Sequence, residues 1–106
     1  MKNMFLAINI VTPAEGKQER VQGMLSHLVP EAEKYEPEAL MFCASWCATA
    51  GVFYVVEMFA NEAAQEYHRN QPYTAELRRI SREEHNLAKR VEVQVLDRFA
   101  GFNRGY

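Results

Sequence analysis

Residues 52–73 read VFYVVEMFANEAAQEYHRNQPY. Val52 to Phe59 is β-branched, aromatic and short, the composition of a strand. Asn61 then stands where a helix N-cap is wanted, and Ala63, Ala64, Tyr67 and His68 make a short helix behind it. Pro72 opens another helix, with Tyr73, Leu77 and Ile80 at i, i+4 and i+7. Its outer face is charged through Glu76, Arg78, Arg79, Arg82 and Glu83.

Upstream, Ala39 to Trp46 (ALMFCASW) is a second strand, and Cys47 to Gly51 links the two as a hairpin. Before it, Val21, Met24, Leu25, Leu28, Val29, Ala32 and Tyr35 fall on one stripe of a long amphipathic helix. Pro30 is expected to kink or restart that helix, and Pro37 lies past its end. Met4 to Val11 (MFLAINIV) is an apolar strand interrupted by one polar side chain, Asn9, and is expected to be buried on both faces or nearly so. Downstream, Val91 to Phe99 alternates Val91, Val93 and Val95 against Glu92, Gln94 and Arg98, a last strand. Ala100 to Tyr106 is a loosely held tail.

The order β-α-β-β-α-α-β predicts an α+β fold, a ferredoxin-like antiparallel sheet with its helices on one face. The second face of such a sheet also carries apolar side chains here. A second copy of the chain would cover it, so a homodimer is expected.

At 106 residues the chain makes one domain, residues 1–106, with a real but thin core. Hydrophobic residues are 48% and charged residues 25%, too apolar for disorder. The formal net charge of −2 offers no electrostatic footprint for nucleic acid or an anionic membrane. The apolar run near the start is too short to span a bilayer and lacks a cleavage site, so a cytoplasmic location is expected. Cys43 and Cys47 on one strand would lie ~13 Å apart, too far for a disulfide.

The glycines form neither a dinucleotide fingerprint nor a phosphate loop. His27, His68 and His85 make no metal pair. No cofactor and no metal are expected. Chemistry would rest on side chains or on the substrate's own reactivity.

The stretch Phe53–Tyr73 resembles the signature of the antibiotic biosynthesis monooxygenase (ABM) domain family. It has a strand ending in Glu57 and Phe59, a short Ala-containing helix, His68, and the Pro72-Tyr73 step. The Glu36-Pro37-Glu38 break before the second strand also fits. The resemblance implies a dimeric α+β barrel, two sheets packed face to face, with a pocket in each subunit between sheet and helices. Members run different chemistries on this scaffold. In the haem-degrading branch the iron-ligating His would fall at Arg78, which does not serve as a haem ligand. In the anthrone-oxidising branch the polar pair of the third strand would fall at Val55 and Phe59. Neither constellation is present, so Asn9 or His68 must do the polar work.

The resemblance therefore implies a cofactor-independent monooxygenase or oxidase acting with O2 on an electron-rich anthrone, quinol or polyketide-like aromatic. An isomerase or cyclase of a small carbonyl compound and a non-catalytic dimeric binding module are the alternatives. His68 is the candidate base, against a plain packing role at a helix end. Asn9 would orient a substrate oxygen, or satisfy a strand-edge backbone group. Glu57 is either a pocket acid or the partner of a cation such as Arg69. Phe42, Trp46, Phe53, Val55, Phe59, Tyr67 and Tyr73 are the candidate substrate wall. Lys17, Arg20, Lys34, Arg78 and Arg79, the cations a phosphorylated substrate would need, all look solvent-facing by periodicity.

Overall fold

A computed structural model describes residues 4–104; Met1–Asn3 and the last two tail residues, Gly105 and Tyr106, lie outside the described residues. Strand β1 (Phe5–Val11) leads into helix α1 (Gln18–Tyr35). Strands β2 (Ala39–Cys47) and β3 (Val52–Phe59) form a hairpin. Helices α2 (Glu62–Arg69) and α3 (Pro72–Glu84) precede the short edge strand β4 (Glu92–Leu96). The sheet order is β2-β3-β1-β4, antiparallel throughout. This is the ferredoxin-like α+β arrangement that the element order implies.

Local chemistry fixes the boundaries. Asn61 caps α2, its Oδ1 accepting from the Ala64 N–H at 2.9 Å. Pro72 occupies the first turn of α3, where a missing N–H costs nothing. Gly51 closes the hairpin with φ of 68°, a conformation that strains residues bearing a Cβ. α1 runs unbroken through Pro30, against the expectation of a restart. The helix gives up one backbone bond there, and the stripe of Val21, Met24, Leu28 and Ala32, all buried, holds it to the sheet.

Register sorts the sheet into two faces. Phe5, Ala7, Asn9 and Val11 lie opposite Phe59, Glu57, Val55 and Phe53 and share the face covered by the helices. Val11, Val21, Phe53 and Val55 form the core cluster there. Leu6, Ile8 and Ile10 share the other face with Met58, Val56 and Tyr54, and no helix covers it. Their side chains are half-buried in the single chain.

β4 departs further from expectation. It is five residues long, not nine, and every residue in it is exposed. Val93 and Val95 do point to the helix face, opposite Asn9 and Ala7. They are nonetheless 54% and 62% exposed, because the helices do not reach that edge.

Candidate functional site

One buried polar cluster lies between the helices and the sheet. Glu36 is the residue that ends α1; its backbone N–H donates to the Ala32 carbonyl, and Pro37 behind it stops the helix. A carboxylate at that end opposes the helix dipole, so it needs a tertiary partner. Two partners reach it. His68, in the last turn of α2, donates from Nδ1 to Glu36 Oε2 at 2.8 Å and Oε1 at 3.0 Å. The Tyr73 hydroxyl, from the start of α3, donates to Oε2 as well. One carboxylate thus ties α1 to both later helices.

With Nδ1–H given to Glu36, the other ring nitrogen of a neutral His68 is the basic one. It faces Glu57 on β3, with Nε2 to Oε2 at 4.0 Å, too long for a direct hydrogen bond. Glu57 lies opposite Phe42 on β2 and Ala7 on β1. The rings of Phe42 and Phe59 close over the imidazole at 5.3 and 5.5 Å between centroids. Glu36, His68 and Glu57 are all buried. Asn9 and Tyr73, at the two ends of the cluster, are only partly buried.

Burial pushes the Glu57 carboxyl above its ordinary range; the Asn9 amide and His68 pull it back in part, and Glu36 adds to the rise. Burial, then the bond to Glu36, raises the Tyr73 phenol far enough to keep it protonated at any working pH. Because folding raises Glu57, its neutral form is favoured in the folded state. That stability is complete below about 4.5, the ordinary value, and is lost as pH rises through the higher folded value. Glu57→Gln keeps the shape and removes the titration. Urea denaturation between pH 4 and 8 is expected to show the variant gaining on the parent as pH rises. A gap that does not change with pH would contradict the raised value.

Among the described residues, two cavities flank the cluster. One, of about 530 Å³, is walled by Phe42, Trp46 and Phe53 from the sheet and by Leu25, Val29 and Pro30 from α1. The other, of about 290 Å³, lies at the end of α1 beside Glu36, Ala64 and Tyr67. Of the sequence candidates, Phe42, Trp46 and Phe53 meet in the first cavity, with Trp46 and Phe53 rings 4.7 Å apart. Val55 is in the core behind them, Phe59 backs His68, and Tyr67 is exposed at the second cavity. Tyr73 is bound to Glu36. His68, Asn9 and Glu57 cluster together but line neither cavity. Glu57 faces His68 and Asn9, not Arg69. Glu36, the hub, is absent from the sequence candidates. An acid placed at a helix C-terminus just before proline is the signal that points to it.

Among the described residues no group of His, Cys, Asp and Glu could hold a metal ion, and no helix is long and apolar enough to cross a membrane. Cys43 and Cys47 are free.

No family model matches the sequence, and no curated protein matches it. Solved structures do match. PA3566 from Pseudomonas aeruginosa superposes with a TM-score of 0.83 at 26% identity, over 94% of this chain and 98% of that one. Rv0793 from Mycobacterium tuberculosis gives 0.83 at 17% identity, over 95% of this chain and 100% of its own. A Caulobacter crescentus protein of the antibiotic biosynthesis monooxygenase type gives 0.82 at 18% identity, over 93% and 92%.

Proposed function

From a chain whose fold is that of the antibiotic biosynthesis monooxygenase domain, we propose a cofactor-independent monooxygenase or oxidase that acts on an electron-rich aromatic, an anthrone or quinol, with O2. The observation that carries this reading is the buried Glu36–His68–Glu57 series beside a cavity walled by three aromatic rings. Such a substrate needs one thing of the protein before O2 can react, the removal of a proton. Phe42, Trp46 and Phe53 supply flat walls for a planar ring. His68 supplies a basic nitrogen behind Phe42, whose ring lines the cavity and lies 5.3 Å from the imidazole, so the substrate reaches it when Phe42 turns aside; Glu36 stabilises the imidazolium that forms. Asn9, partly exposed beside Glu57, is where the series meets the outside. The proton that His68 takes from the substrate leaves by way of Glu57 toward that point.

The deprotonated substrate then gives electrons to O2. An anthrone methylene is oxidised to a carbonyl while one oxygen atom enters the product and the other leaves as water. A quinol instead gives its two electrons and two protons to O2, yielding quinone and hydrogen peroxide. The protein's part is confined to binding and to the first proton.

Oxygen uptake measured with a panel of anthrones and quinols tests this. Uptake matched by quinone formation is the expected result. Product formed at the same rate under nitrogen would overturn the oxygenase reading in favour of proton-transfer isomerisation on the same residues.

The working unit in this reading is a homodimer. The uncovered face carries Leu6, Ile8, Ile10, Tyr54, Val56 and Met58, all half-buried in the single chain, and a second copy would cover them. Gel filtration at micromolar concentration is expected to give twice the chain mass of 12.2 kDa. Elution at the mass of one chain would contradict the dimer.

A further inference from the structure

A third cavity, of about 710 Å³, opens between α1, α3 and the segment that leads to β4. It lies within the size range of small-molecule sites, about 300–1,000 Å³. Val21, Met24 and Leu28 of α1, Leu77 of α3, and Leu87 and Val91 beyond it give it an apolar interior. Its polar lining is Thr74, Ser81 and His85 with four cations, Arg78 and Arg82 from α3 and Lys89 and Arg90 from the following segment. No acid lines it.

This charge is sorted, not incidental. The acids of α3 are Glu76, Glu83 and Glu84. Glu76 and Glu83 are bound by Arg79, and Glu84 is bound by Arg20 through two bonds of 2.8 and 3.1 Å. The Arg79 pairs lie within α3 on its exposed side, and the Arg20–Glu84 pair ties α3 to α1. Arg82, Lys89 and Arg90 have no ion-pair partner among the described residues. Arg78 gives one N–H to the Arg69 carbonyl at 2.9 Å and keeps its other donors. So α3 neutralises the cation turned away from the cavity and leaves uncompensated those that border it. Thr74, also in the wall, has a buried hydroxyl without a partner. Cations that border one cavity without a counter-charge favour an anion there.

We propose that this cavity binds an amphipathic organic anion, its apolar body between α1 and α3 and its carboxylate among Arg78, Arg82, Lys89 and Arg90. Guanidinium groups suit a carboxylate because they donate two parallel bonds to it. The apolar interior excludes small hydrophilic anions as the preferred ligand. The site is independent of the oxygen chemistry proposed above, since it shares none of Glu36, His68 or Glu57.

Binding is read by calorimetry under nitrogen with dodecanoate, below its micelle-forming concentration, and with 1-dodecanol as the neutral partner. Dodecanoate is expected to bind at least about tenfold more tightly than the alcohol, and less tightly as salt is raised. The double variant Arg82→Gln/Arg90→Gln should lose about tenfold or more in dodecanoate affinity and leave the alcohol unchanged. These side chains are exposed, and a melting curve confirms that the variant is folded. Arg79→Gln, on the paired side of the same helix, should bind as the parent does. Equal affinity for acid and alcohol, or an equal loss in Arg79→Gln, would overturn the proposal. Both results are obtained without turnover, so they stand apart from success or failure of the oxygen-uptake assay.

Discussion

His68→Ala is expected to lower turnover of an accepted anthrone or quinol by about 100-fold to 10,000-fold, the range that a positioned base contributes. The loss should fall on kcat. His68 lines neither of the cavities beside it, so KM should move little. The substitution also leaves Glu36 and Glu57 facing a void, and the variant will be less stable than the parent. His68→Gln separates the two effects. Its amide can still donate to Glu36 but cannot take up a proton at neutral pH. If His68 is the base, Gln is as inactive as Ala while melting closer to the parent. If the histidine only packs, Gln restores most of the rate along with the fold, and the proposed mechanism is wrong.

Phe59→Ala is expected to cost about 3–5 kcal/mol of stability, against about 5–15 kcal/mol for a whole domain. Phe59 is fully buried at the end of β3, opposite Phe5 on one side and Ala39 on the other. Its ring lies 5.5 Å from that of His68. Alanine there removes most of a large side chain from a place bounded by two strands and a helix, which cannot all close in. Phe59→Leu should cost well under half as much, because it keeps most of the volume. Urea midpoints for the pair check this. A loss below ~1 kcal/mol for alanine would mean that the region collapses freely and does not hold His68 in place.

The sheet was legible because its signals are local. The Asn61 cap, Pro72 at the start of α3 and the hairpin before Val52 each follow from neighbouring residues alone. The alternation Val91, Val93, Val95 correctly assigns a common face. Alternation cannot say how far a helix layer extends over that face, and here it stops short of β4. Pro30 misleads for a related reason: the missing bond is a local loss, and the buried stripe that outweighs it is tertiary.

The site was legible in its pieces and not in its joining. Asn9, Glu57 and His68 stand out as polar groups in apolar surroundings, and the fold brings them together. Glu36 contacts residues 32 and 37 positions away, a pairing that no periodicity encodes. Arg78 is exposed, as its periodicity suggests, but that reading does not show that α1 lies alongside α3 and makes the same helix side the border of a cavity.

The proline within α1 has a further effect. Residue 30 has no N–H, so the carbonyl of Ser26, four residues earlier, lacks the donor that a helix would normally give it. Ser26 and Pro30 both border the aromatic cavity. The aromatic cavity is therefore bordered, beside Gln22 and Cys43, by a residue whose backbone acceptor has spare capacity. It belongs to the main chain, so substitutions that change the side chains around it leave it in place.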